Sequence, residues 1–160
     1  HDRIDIRAVS PITKKEYQIG GSTALLDAMG RTIQKIDNAQ KHTAEEYRAE
    51  KVMFVIITDG EENSSREFSL RKVKALIKRQ KEKYAWEFIF LGANIDAVQT
   101  ASSFGIASDR AQDYHADNEG VELNFRVMSD AVSSFRASAA IPEDWNEEIQ
   151  KDYKRRGGRK

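Results

Sequence analysis

Six consecutive residues, Val52-Met53-Phe54-Val55-Ile56-Ile57, are all apolar and mostly β-branched. A run of this length is strand-sized. Because no polar residue alternates within it, it reads as a strand covered on both faces, the pattern of parallel α/β sheets rather than of half-solvated antiparallel ones. It is also the longest apolar stretch in the chain, far short of the roughly 20 residues that a membrane-spanning helix needs. A chain of 160 residues is about the size of one domain, so the run implies one sheet with helices packed against it.

The flanking sequence supplies those helices. Leu25, Leu26, Met29, Ile33 and Ile36 recur at three- and four-residue intervals after Ser22-Thr23, two residues suited to N-capping, and predict a helix ending near Asn38. Thr43 and Glu46 suggest a capping box and a short turn over 44–50. A long helix is predicted after the apolar strand, capped by Ser64 or Ser65 and carrying Leu70, Val73, Leu76, Ile77 and Tyr84. Trp86 to Leu91 reads as a second strand. Val98, Ala101 and Phe104 mark a short helix that Gly105 should end. A small edge strand fits around Ala111 to Ala116. Val121, Phe125, Met128, Val132 and Phe135 then predict an amphipathic helix between Asn118 and Ala139.

At the amino end, Ile4, Ile6 and Ala8 alternate with polar residues, as in a half-buried strand over Arg3 to Val9. Residues 142–160 read as a polar, basic tail beyond a domain of residues 1–141. Trp86 and Trp145 are expected to pack, Trp145 being the better candidate of the two for an exposed contact, and the last ten residues, with six basic groups, should fray. Strands alternating with helices make the expected class α/β, a doubly wound, mostly parallel sheet with helices on both faces.

In open α/β sheets, ligands bind beyond the carboxyl ends of the strands. Two loops qualify. Gly20-Gly21-Ser22-Thr23 opens the first helix, and Thr58-Asp59-Gly60 follows the most apolar strand. Hydroxyl and carboxylate oxygens are hard ligands of the kind a magnesium ion takes, so Thr23 and Asp59 are candidate metal ligands sharing one ion. Glu61, Glu62 and Asn63 border the same loop and add negative potential beside it. Neither cysteine nor a neighbouring histidine is present to activate a nucleophile, so no catalytic residue is assigned.

The segments GGSTALLDAMGRTI and VMFVIITDGEEN, in that order and each leading to a helix, resemble the von Willebrand factor type A (vWA) domain. The resemblance covers roughly Arg3 to Ala139. It implies a Rossmann-like, doubly wound fold bearing a metal-ion-dependent adhesion site. By motif, the family's ligand threonine corresponds to Thr23 and its ligand aspartate to Asp59. The implied ion is Mg2+, with Mn2+ or Ca2+ as substitutes, and the implied partner is a protein offering an acidic side chain to the ion. The family's Asp-x-Ser-x-Ser motif has no counterpart in this sequence, which enters the pattern after the family's first strand. Without that strand the apolar run at 52–57 has an open edge. Such an edge calls for complementation by another chain or by an upstream segment.

Composition narrows the remaining functions. Twenty-six basic residues balance 26 acidic ones, which argues against a nucleic acid or anionic membrane as partner for the chain as a whole. Residues 66–84 carry eight Lys or Arg against two Glu, which a solvated helix face explains. The absence of cysteine excludes disulfides and thiolate chemistry and leans toward the cytoplasm. The leading expectation is a non-enzymatic, metal-dependent protein-binding module. The alternatives are a nucleotide- or phosphate-binding enzyme domain using the glycine-rich loop, although that loop matches neither common phosphate-binding pattern, and a structural domain whose ion site has been lost.

Overall fold

A computed structural model describes residues 5–13, 15 and 22–158. Among these, three strands form one parallel sheet, β1 (Met53–Thr58), β2 (Glu87–Gly92) and β3 (Ala111–Asp113), in the order β1-β2-β3. Five α-helices surround it: α1 (Leu25–His42), α2 (Leu70–Tyr84), α3 (Ala97–Phe104), α4 (Asn118–Ser138) and α5 (Glu147–Arg155). The class is α/β with a Rossmann-like arrangement. No helix among the described residues is long and apolar enough to cross a membrane.

Strand alternation divides the core into two layers. Phe54 and Ile56 of β1 and Phe88 and Phe90 of β2 project to one side, where they meet Leu25, Met29 and Ile33 of α1, Val73 and Ile77 of α2, and Ala101 and Phe104 of α3. Met53 and Val55, with Ile89 and Leu91, project to the other side, onto Val127, Met128, Ala131 and Phe135 of α4 and Ile149 of α5. β2 is covered on both faces, from Phe88 to Gly92. β1 is less so: its first three residues are half-buried and Ile57 is 43% exposed. The run that reads as fully covered in the sequence is therefore an edge strand, with β2 as its pairing partner among the described residues.

The caps explain where several helices begin and end. Ser69, not Ser64 or Ser65, caps α2 by accepting the Lys72 N–H, so that helix starts four or five residues later than those serines suggest. Asp96 caps α3 and Gly105, at φ 82°, ends it in the left-handed conformation. Asp117 caps α4 through the Gly120 N–H. Of the predicted strand at the amino end, Arg3 and Ile4 lie outside the described residues. Ile6–Ala8 form a short 3-10 turn instead, with the Asp5 carboxylate accepting the Arg7 backbone N–H.

Residues 142–158 are not a solvated tail. Trp145 is 6% exposed and Ile149 1%. The Trp145 Nε1–H donates to the Asp109 carbonyl at 2.8 Å, and Asn146 Nδ2 donates to Gln112 Oε1 at 3.1 Å, so the segment is fastened beside β3. Trp145 packs as its residue type suggests, but with Ile149 it is one of two apolar anchors in a stretch that is otherwise charged, which is why composition alone mistakes the segment for tail. Ile149→Ala should cost about 2–5 kcal/mol, the range for a truncated core isoleucine. Urea unfolding will show this, whereas a tail residue would shift the midpoint by no more than about 0.5 kcal/mol.

Candidate metal-ion site at the carboxyl end of the sheet

Ser22 and Thr23 do not cap α1. The N-cap position is Ala24, which has no capping side chain, and the orphan N–H groups of the first turn are met from another loop. Glu62 Oε2 accepts the Leu26 N–H at 2.8 Å, and Ser65 Oγ accepts the Asp27 N–H at 3.0 Å. Glu62 also holds its own loop in shape, since Oε1 accepts the N–H groups of Ser64 and Ser65 at 2.9 and 2.7 Å, and Oε2 accepts the Ser65 hydroxyl at 2.8 Å.

Asp27 returns the exchange. From the first turn of α1, its Oδ2 accepts the Arg66 N–H at 2.9 Å, while Oδ1 accepts those of Glu67 and Phe68 at 2.9 and 2.8 Å. The Arg31 guanidinium pairs with Glu67 alongside. Phe68 then lays its ring over Gly30, where any Cβ would fall 2.2 Å from the ring. Glycine costs about 1 kcal/mol inside a helix, but here its missing side chain is the seat of Phe68. The N-terminus of α1 and the loop after β1 are thus joined by a reciprocal pair of carboxylates, Asp27 buried and Glu62 half-buried.

The environment of each carboxylate shows in its acidity. Asp27 is held below its ordinary value chiefly by the Arg66 N–H; burial opposes this, and the N–H groups of Phe68 and Glu67 and the charge of Arg31 reinforce it. For Glu62, burial is the largest single influence and acts upward. The hydrogen bonds from Ser65, Leu26 and Ser64 together outweigh it, so its carboxyl also ends below the usual glutamate value.

Thr23 sits against the Asp59-Gly60 turn. The Thr23 N–H donates to Asn63 Oδ1 at 2.9 Å, and the Asn63 N–H donates to the Thr23 carbonyl at 3.0 Å. A Cβ on Gly60 would lie 3.6 Å from Thr23 Oγ1, so the hydroxyl faces the residue next to Asp59. A third loop reaches the same place: Asn94, at φ 59°, donates from Nδ2 to the Asp59 carbonyl at 3.3 Å. Thr58 Oγ1 donates to the Gly60 carbonyl at 2.9 Å and shapes the turn itself. Thr23 is half-buried and Asp59 is exposed.

Thr23 therefore lies against the turn that carries Asp59, and Gly20 and Gly21 lie outside the described residues. Among the described residues no three His, Asp or Glu side chains converge. The donor set of Thr23 and Asp59, one hydroxyl and one carboxylate at the mouth of the sheet, suits a hard divalent cation that retains most of its waters. Glu62 and Asn63 are occupied in holding the loop. Asp27 and Asn94 had not been singled out in the sequence, although a carboxylate two residues inside a helix that opens with Leu25-Leu26 is the kind of signal that could have drawn notice. Comparison with protein families, curated proteins and solved structures returned no match.

Removing Glu62 strands several N–H groups at once, so Glu62→Ala should lower stability by about 1–2 kcal/mol, the upper half of the range for a lost N-cap. The pH dependence has a defined sign. Both carboxyls titrate lower when folded, so their contribution is complete above the unfolded values, about 4.3 for Glu and 3.9 for Asp, and is lost as pH falls through the folded values beneath these. Glu62→Gln and Asp27→Asn should each flatten the acid limb of a plot of urea midpoint against pH, leaving the slope near neutrality unchanged.

Proposed function

We propose that the chain is a non-enzymatic protein-binding module of the vWA type, built on a doubly wound sheet, in which Thr23 and Asp59 hold a Mg2+-type ion. The observation that carries this reading is the juxtaposition of the Thr23 hydroxyl with the Asp59-Gly60 turn, from loops 36 or more residues apart, fixed by the paired hydrogen bonds between Thr23 and Asn63. The ion supplies a positively charged point with open coordination positions, which an acidic side chain of a partner protein can fill. The chain's own residues do the remainder. Glu62 and Asp27 hold the two loops in register, Asn94 steadies the Asp59 backbone, and the exposed Asp59 carboxylate faces solvent where a partner can approach. The chain has no cysteine, and nothing in these loops resembles an activated nucleophile, which supports binding over catalysis.

Thermal unfolding in graded Mg2+ or Mn2+ tests the reading directly. Stabilisation should grow with the ion to about 1.4 kcal/mol at ten times the dissociation constant. It should vanish in Asp59→Ala and weaken in Thr23→Ala, neither of which touches the clasp. Absence of any ion effect on the parent chain refutes the proposal in favour of a structural domain. Stabilisation by a nucleoside triphosphate with Mg2+, but not by Mg2+ alone, would move the assignment to phosphate binding.

A further inference from the structure

The fold gives the basic run of residues 66–84 a direction. Val73, Ile77 and Gln80 turn one side of α2 inward, so Arg71, Lys74, Lys78 and Lys81, at i, i+3, i+7 and i+10, share its exposed side. At 1.5 Å per residue this stripe is about 15 Å long. The acids that would offset it lie elsewhere. Helices α1, α2 and α3, which form one layer, carry ten Lys or Arg against three Asp or Glu. Residues 118–156, which form the layer on the other face of the sheet, carry six against eight.

The two layers also differ in how their cations are paired. In the α4–α5 layer Arg126 meets Glu148, Lys151 meets Glu147, Arg155 meets Glu119, and Arg156 meets Asp117. On α2 the one such pair among the described residues is Lys78 with Glu82, at 3.7 Å. Lys81 turns instead to the Gly105 carbonyl at 3.3 Å, and Arg79 and Lys83 turn to the Tyr84 hydroxyl. Arg71, Lys72 and Lys74 have no acidic partner among the described residues. Like charges three and four residues apart on a helix repel, so the row along α2 is a standing cost that an anion from outside relieves.

The surroundings of the stripe indicate which anion fits. At its amino end Leu70 is 42% exposed, one turn before Lys74, and offers an apolar foothold beside the cations. The aromatic ring of α2, Tyr84, is tied at its hydroxyl and is not presented for stacking, which is what a single-stranded nucleic acid uses. A protein segment can supply both carboxylates and an apolar side chain. We infer that the exposed side of α2 is a docking surface for an acidic segment of a partner protein. Its carboxylates follow Arg71, Lys74, Lys78 and Lys81, and an apolar residue at one end covers Leu70. Charge complementarity of this kind sets the orientation of the segment and speeds its encounter with the chain. None of these residues belongs to the loops of Thr23 and Asp59, so the surface stands or falls separately from the ion site.

Fluorescence anisotropy of a labelled oligoglutamate peptide with a leucine at each end tests this, in EDTA so that the ion site takes no part. The peptide should bind the parent chain saturably and should weaken as salt is raised above about 0.1 M, where screening already acts over about 10 Å. Arg71→Glu combined with Lys74→Glu should weaken binding about tenfold, because each reversal turns an attraction into a repulsion. Arg136→Glu combined with Lys154→Glu makes the same change of charge at two exposed, unpaired residues of the other layer and should leave binding within about twofold of the parent. All four substituted side chains are exposed, so far-ultraviolet circular dichroism should not change. Leu70→Ser should erase the preference for the leucine-flanked peptide over one flanked by glycine. Failure of the peptide to bind the parent chain overturns the inference, as does an equal loss in the two double variants. Tighter binding of an oligothymidylate of equal charge overturns it in favour of a nucleic acid partner.

Discussion

The exchange of carboxylates between Glu62 and Asp27 governs the carboxyl end of the sheet. Each helix N-terminus presents N–H groups that must be satisfied. In α1 the side chains nearest in sequence do not satisfy them. Glu62 does, from a loop 36 residues away, and Asp27 answers by binding three successive N–H groups of that same loop. A charged acceptor makes a shorter and stronger hydrogen bond than a neutral one, and here two such acceptors tie α1 and the loop to each other, with Phe68 seated on Gly30 alongside. Remove either carboxylate and the other loses the geometry that makes it useful. The positions of Thr23, Asn63 and Asp59 are consequences of that mutual support.

The layers behind the clasp follow from strand alternation on β2. Phe88 and Phe90 face the α1–α3 layer while Ile89 and Leu91 face α4 and α5, so a single six-residue strand anchors both halves of the core. Burial of each such side chain contributes roughly 1.5–3 kcal/mol. Two buried amides sit uneasily within these layers. The side chains of Gln80 and Asn124 have no hydrogen-bond partner among the described residues, which is costly for fully enclosed polar groups.

Much of this was legible in the sequence, because hydrophobic periodicity is a local signal. The stripes through α1, α2 and α4, the Gly105 stop and the small β3 strand emerged from spacing alone. What was not legible was long-range. Ser22 and Thr23 look like caps, yet nothing local reveals that Glu62 performs the task. Ser64 and Ser65 look like caps for α2, yet Ser65 serves α1 and Ser69 caps α2. Val52 to Ile57 looks doubly covered because its residues are all apolar, but a local run does not record which strands exist to cover it. Trp145 and Ile149 are diluted among charges, and only the docking against β3 shows why they are apolar. In the site, motif order singles out Thr23 and Asp59, whereas nothing local points to Asn94, whose side-chain amide reaches the Asp59 carbonyl from a left-handed turn.

The two edges of the sheet are treated differently, and this difference bears on the site. β3 is only three residues long, and α5 and Trp145 close over its outer side, which is how edges are ordinarily protected. β1 has twice that length and no such cover among the described residues. It is also the strand that delivers Asp59, one residue beyond its end. The β2 side of that turn is held by the Thr58 carbonyl and by Asn94, whereas the outward side is held only as well as Ile57 is.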